Sequence, residues 1–96
     1  MLLRAISHVF SRPDTVEPMR AVLRELLAAT RMEPGCITCE LLEGVDDPTD
    51  FAFVAEWRSR TDLQEHHRTP HVLTAQARMQ DLVADEPSAQ VYKVIG

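Results

Sequence analysis

The 96-residue sequence has little of what several protein classes require. Its two cysteines are too few for the disulfide framework of a small secreted protein. Three glycines and six prolines exclude collagen-like and low-complexity chains. No apolar run approaches the roughly 20 residues that cross a bilayer. Ten Lys and Arg against 15 Asp and Glu give a net charge of −5, which disfavours nucleic acid or an anionic membrane as the partner.

The remaining composition is typical of one small globular domain, which we expect to cover residues 1–96. Hydrophobic residues make up 45% of the chain and charged residues 26%, an ordinary balance for a packed core. The N-terminal segment MLLRAISHVF has Arg4 inside its apolar run and lacks the pattern of a signal peptide. We therefore expect a cytoplasmic protein.

Apolar spacing predicts four strands and helices in two places. The strands are predicted over residues 2–11, 36–42, 51–57 and 89–95. A first helix, capped by Asp14 or Thr15, carries an apolar stripe and ends at Glu33-Pro34-Gly35. A short helix follows Ser59, and a further one begins at Thr69-Pro70 and carries its stripe to Val83. The order β-α-β-β-α-β predicts an α+β, ferredoxin-like fold with both helical regions on one face of the sheet.

The third predicted strand is apolar on both of its sides. Phe51, Phe53, Ala55 and Trp57 alternate with Ala52 and Val54. A strand of this kind is normally covered on both faces, whereas the helices cover only one. The sequence therefore predicts a homodimer in which a second copy of the sheet covers the other face.

Cys36-Ile-Thr-Cys39 is the first motif that could carry chemistry. A redox pair, half of a zinc site and two buried apolar cysteines are all open interpretations. Residues three apart in a strand point to opposite faces, so we expect the two sulfurs to diverge.

No Gly-x-Gly-x-x-Gly, Walker or Gly-x-Ser-x-Gly motif is present, so nucleotide binding and serine hydrolysis lack support.

Three histidines form the second candidate group. His66, His67 and His71 lie close together around the predicted helix break, where they could bind a metal or transfer protons. Their spacing matches no standard zinc motif, and His67 is expected at the surface. For His66, as for His8 on the first strand, a pocket role and a structural hydrogen bond both remain open. Because four convergent Cys and His ligands are not expected, we predict no bound metal.

The chain resembles the antibiotic biosynthesis monooxygenase (ABM) domain family nearly from end to end. The matching motifs, in order, are Glu33-Pro-Gly-Cys36, Cys39-Glu-Leu41, Phe51-x-x-x-x-Glu56-Trp57 and Leu63-x-x-His66-x-x-Thr69-Pro70-His71. This resemblance implies a ferredoxin-like protomer whose sheets associate into a dimeric α+β barrel. It also implies a pocket between each sheet and its own helices.

The family contains branches with different activities. One branch oxygenates hydroquinone- or anthrone-type aromatics with O₂ and without a cofactor. A haem-degrading branch requires an asparagine, a tryptophan and a histidine, where this chain has Ser7, His66 and Gln76. A third branch isomerises a phosphorylated signalling sugar derivative, for which Arg68 and Arg78 could supply positive charge.

The resemblance to the first branch leads us to expect a cofactor-independent monooxygenase of small electron-rich aromatics. We expect His66 to be the catalytic residue, as base or oxyanion partner, and the substrate pocket to contain Trp57, His71, Ser7 and Tyr92. The alternatives are a non-catalytic module that binds a small ligand, and the sugar-phosphate isomerase.

Overall fold

A four-stranded antiparallel sheet with helices on one face forms the protein. The computed structural model describes residues 1–96. Its strands are β1 (Leu3–Phe10), β2 (Cys36–Glu43), β3 (Asp50–Trp57) and β4 (Ser88–Lys93), and its helices are α1 (Val16–Arg31), α2 (Arg60–His66) and α3 (Pro70–Met79). The strand order is β2-β3-β1-β4. This confirms the predicted α+β, ferredoxin-like fold. None of the helices has the length and apolar character needed to span a bilayer.

Two apolar clusters fill the space between the sheet and the helices. The first joins β1 and β3 to α1 and α3 and includes Val9, Met19, Leu23, Phe51 and Ala75. The second lies under α2 and includes Leu3, Cys39, Ala55, Trp57 and Leu63. Alternate residues of β1 and β3 point to this side because successive strand residues face opposite ways. Both clusters therefore lie on the helix-covered face of the sheet.

The predicted starts of α2 and α3 are confirmed by their caps. The Ser59 hydroxyl accepts a hydrogen bond from the Asp62 amide at 3.1 Å, and the Thr69 hydroxyl accepts one from the Val72 amide. Thr15 occupies the predicted N-cap position of α1, but its side chain accepts no hydrogen bond from the amides of that helix. The Thr15 hydroxyl instead donates to the Leu82 carbonyl at 2.6 Å and ties the start of α1 to the segment after α3.

The last helix ends earlier than its apolar stripe predicts. It stops at Met79, whose carbonyl accepts bonds from the amides of Leu82 and Val83. The chain then returns to the sheet, where the Ala84 amide donates to the Phe10 carbonyl at 2.7 Å. Leu82 and Val83 thus pack against the first cluster from an irregular segment, which a helical period cannot distinguish from a further turn. The last strand is Ser88–Lys93 rather than 89–95.

A bulge in β2 overturns the prediction that the two cysteines diverge. Cys36 pairs with Trp57 and Cys39 with Ala55, and the register shifts between Cys36 and Thr38. Ile37 is the extra residue, so the alternation is reset and both cysteines lie on the helix-covered face. Both contact the cluster under α2, with Cys39 buried and Cys36 at its edge.

Candidate active site

A cavity of about 260 Å³ opens between the sheet and the helices, close to the end of α2. Strand residues Ser7, Val9 and Phe53 form its floor, and His66 and His67 border it. Its remaining walls come from α1, α3 and the start of β4 with the proline before it: Leu23, Leu26, Val72, Gln76, Met79, Pro87, Ser88 and Ala89. The cavity is mainly apolar with a few polar side chains, which is the usual character of a small-molecule site.

His66 is held at the edge of this cavity by a carboxylate. Its Nδ1 lies 2.6 Å from Glu33 Oε2, and His71 Nε2 lies 2.8 Å from the same oxygen. The side chains of His66 and Glu33 are 12% and 13% exposed, so water competes little for this bond. Trp57 closes the other side of the imidazole, with the ring centroids 4.6 Å apart. His66 therefore has a fixed orientation.

Local sequence explains how Glu33 reaches a helix 30 residues away. Glu33 follows α1 in a turn closed by its own amide, which donates to the Thr30 carbonyl at 3.0 Å. At Gly35 any Cβ would lie 2.3 Å from the Cβ of Asp62, so only glycine lets this turn lie against α2. The Thr69 hydroxyl also donates to the His66 carbonyl at 2.7 Å, which fixes the junction that brings in His71.

The hydrogen bond to Glu33 determines which nitrogen of His66 is free. A carboxylate oxygen only accepts, so Nδ1 carries the hydrogen and Nε2 is left with a lone pair. Nε2 makes no hydrogen bond within the protein and is not sealed from solvent. Burial lowers the pKa of His66 below its ordinary value, although the bond to Glu33 opposes this shift. A neutral imidazole with a free Nε2 can act as a base.

The structure brings together some of the expected pocket residues and separates others. His66 and Ser7 both border the cavity. Trp57 is 1% exposed and packs behind His66 instead of lining the cavity, and His71 lies beyond Glu33, facing a different cleft. Tyr92 pairs with Arg4 on the sheet face that the helices leave uncovered, and it is 51% exposed. Strand alternation places it away from this cavity.

Two residues of the site were not expected from the sequence. The sequence places Glu33 in the turn that ends α1 and in a family-like motif, with no role in the site, and Gln76 only at a position that departs from the haem-degrading pattern. The position of Glu33 within a family-like motif was the available signal, because a turn needs no carboxylate at that position.

The cysteines lie outside this site. Burial raises the pKa of the Cys39 thiol to about 12, and it also raises the pKa of Cys36. Both thiols are therefore protonated at neutral pH. They border a separate surface cleft of about 460 Å³ that includes neither His66 nor Glu33.

A family model and a relative that match this chain are both described as monooxygenases. The family model described as antibiotic biosynthesis monooxygenase matches residues 3–78. The Mycobacterium tuberculosis protein Rv0793, named as a candidate monooxygenase, is 33% identical over 78 residues, which are 81% of this chain and 76% of that protein. Its solved structure superimposes with a TM-score of 0.94 at 28% identity, covering 100% of this chain and 97% of the other.

Two further relatives extend this comparison. The uncharacterized Synechocystis protein sll1783 is 30% identical over 83 residues, which are 86% of this chain. This chain matches 56% of the length of that protein, a little over half. The solved structure of a candidate antibiotic biosynthesis monooxygenase from Nitrosomonas europaea has a TM-score of 0.93 at 24% identity, and the match covers 98% of this chain and 90% of that one. At this identity the likeness concerns the fold.

Proposed function

Because the chain belongs to the antibiotic biosynthesis monooxygenase family, we propose that it is a cofactor-independent monooxygenase of a small, electron-rich aromatic of the hydroquinone type. The observation that carries this proposal is His66 at the edge of the cavity, with Nδ1 bonded to Glu33 and Nε2 free. Family membership supports oxygenation in general, and the geometry of His66 supports a reaction that begins with removal of a proton.

The proposed reaction uses the substrate as its own source of electrons. His66 Nε2 accepts a hydroxyl proton from the aromatic, and the resulting phenolate transfers electrons to O₂ far more readily than the phenol does. One oxygen atom is incorporated into the ring, and the other leaves as water with two hydrogens from the substrate. General-base catalysis of this kind contributes about 10²- to 10⁴-fold in rate.

Polar side chains on the other walls support recognition of the oxyanion. Ser7 lies on the sheet side of the cavity and Gln76 on α3, and neither side chain makes a hydrogen bond within the protein. Both can donate to a phenolate oxygen. The volume of about 260 Å³ is below the ~300–1,000 Å³ of sites for drug-sized ligands, so we expect one or two fused rings.

The isomerase alternative has less support from the site. A phosphorylated substrate needs fixed positive charge, and no Lys or Arg side chain lines the cavity. Arg68 bonds to Glu65 at the surface, and Arg78 bonds to Glu25.

Oxygen consumption by the purified protein tests the proposal. We expect uptake of O₂ above the non-enzymatic rate with one- or two-ring hydroquinones, and little with three-ring anthrones. If no member of the panel raises O₂ uptake, while a hydroquinone still binds and protects the protein against heat, the non-catalytic binding module replaces this proposal.

We further propose that a second copy of the chain covers the open face of the sheet. This face carries Ile6 and Val54 at its centre, and Leu42 and Tyr92, which are 46% and 51% exposed, further out. Arg4 and Glu56 form an ion pair across it at 3.0 Å. The partly apolar character of this face is what a partner sheet would cover.

Sedimentation of a matched pair of variants tests the dimer. We expect the wild-type chain to sediment as a dimer at micromolar concentration and Val54→Asp to sediment as a monomer. The control Leu73→Asp places the same charge on an exposed apolar position of α3, and it should remain a dimer. A monomeric wild-type protein would refute the proposal.

A further inference from the structure

Glu33, His66 and His71 form a group in which His71 is not needed to orient His66, because Glu33 alone bonds to His66 Nδ1. One ligand atom from each of these residues lies within 4.8 Å of the other two. The Glu33 carboxylate is 13% exposed, and its only ion-pair partners are the two histidines. No Lys or Arg compensates its charge, although a largely buried carboxylate is stabilised by a nearby cation.

We propose that Glu33, His66 and His71 bind a divalent transition-metal ion such as Zn²⁺, and that this ion inhibits the oxygenase reaction. Two imidazole nitrogens and one carboxylate oxygen are a donor set that zinc uses in sites with three protein ligands, where water fills the fourth position. The same donors favour Zn²⁺, Co²⁺ or Ni²⁺ over Mg²⁺ and Ca²⁺, which prefer oxygen.

The existing geometry is close to what such an ion needs. With metal–ligand distances of about 2.0–2.1 Å, ligand atoms in a tetrahedral site lie about 3.3–3.4 Å apart. Glu33 Oε2 is now 2.6 and 2.8 Å from the two nitrogens, so each contact would lengthen by less than about 1 Å. The ligands come from three elements, namely the turn after α1, the last residue of α2 and the first turn of α3.

One residue of the proposed ion site borders a second cleft, separate from the cavity. His71 is 27% exposed and borders an open cleft of about 300 Å³ between α1 and α3. Neither Glu33 nor His71 lines the substrate cavity. An ion would therefore bind His66 at Nδ1, whereas we assign Nε2 to the substrate.

The inhibitory effect follows from the chemistry of imidazole, and it rests on the proposed function. A neutral imidazole has one N–H and one lone pair. When the metal takes the Nδ1 lone pair, the Nδ1 proton leaves and Nε2 takes up a proton from solvent. Nε2 can then no longer accept a proton from the substrate. The prediction of a metal-free protein considered only Cys and His as ligands, and Glu33 is the donor that it omitted.

Titration of the metal-free protein with Zn²⁺ alone tests the site without any substrate. Trp57 is the only tryptophan, and its ring lies 4.6 Å from the ring of His66. In a second titration, Co²⁺ or Ni²⁺ bound at this site should therefore quench the fluorescence of Trp57. We expect one Zn²⁺ per chain in calorimetry. Glu33→Ala and His71→Ala should each weaken binding by at least about tenfold.

Two control variants separate this site from other ligands in the chain. His67→Ala removes a neighbouring exposed histidine, and Cys36→Ser removes the more accessible thiol. Both should bind Zn²⁺ with the affinity of the wild-type chain. An absence of stoichiometric binding, or binding lost in Cys36→Ser but retained in His71→Ala, would overturn the site.

Inhibition of the oxygenase reaction by Zn²⁺ is measured in a separate experiment. If the oxygenase reaction is found, stoichiometric Zn²⁺ should abolish it, and His71→Ala should need at least about tenfold more Zn²⁺ for the same inhibition. Activation by Zn²⁺ would refute the inhibitory role. Because binding is measured without substrate, a failure of the proposed oxygenase reaction leaves the test of the site intact.

Discussion

The cysteine motif and the histidine group are both rich in reactive side chains, yet their surroundings differ. Cys36 and Cys39 face an apolar cluster that raises the pKa of both thiols. His66 has a carboxylate on one nitrogen and a cavity beside it. Burial favours the neutral form in both places, but a neutral thiol is unreactive whereas a neutral imidazole is a base. The same physical effect therefore inactivates one motif and activates the other.

The largest difference is expected in turnover. His66→Ala should reduce O₂ uptake by about 10²- to 10⁴-fold because the base is lost. Cys36→Ser, a change in the other motif, should leave it within a factor of about two, since Cys36 does not line the substrate cavity. Equal losses in the two variants would show that the motifs act together.

Thiol reactivity should show the next largest difference. A pKa of about 12 against an ordinary 9.0 reduces the thiolate fraction of Cys39 about a thousandfold, so iodoacetamide at pH 8 should modify it correspondingly slowly. The half-exposed Cys36 should react first. In urea the two thiols should react at similar rates. Rapid modification of Cys39 in the folded protein would contradict this account of its burial.

The smallest expected effect concerns stability. Cys39→Ser places a hydroxyl in the second cluster, where the Cys36 thiol is only a weak hydrogen-bonding partner, so the free energy of unfolding should fall by about 1–3 kcal/mol. Cys36→Ser, at the edge of the same cluster, should cost less than about 1 kcal/mol because solvent reaches it. Urea denaturation of the two variants measures this difference, and the reverse order would refute the assigned burial.

Sequence patterns predicted most of the fold and part of the site. Apolar spacing identified the four strands, and the capping residues Ser59 and Thr69 marked the true starts of α2 and α3. The bulge at Ile37 escaped prediction because it depends on pairing with β3 and leaves no residue signal in Cys-Ile-Thr-Cys.

The role of Glu33 escaped prediction for a similar reason. It depends on how the Gly35 turn lies against α2, which is a tertiary contact. Tyr92 was expected in the pocket, but its side is set by the register of β4 against β1. Sequence spacing alone does not contain that register.

The protonation of His66 is the most direct test of the central claim that Glu33 leaves Nε2 free as a base. Nitrogen-15 NMR of the metal-free protein distinguishes the two imidazole tautomers without any substrate. At pH 7 we predict a neutral His66 with the hydrogen on Nδ1 and an unprotonated Nε2. In Glu33→Ala we predict that this preference for the Nδ1 tautomer is lost. A hydrogen on Nε2, or a doubly protonated ring, would contradict the account.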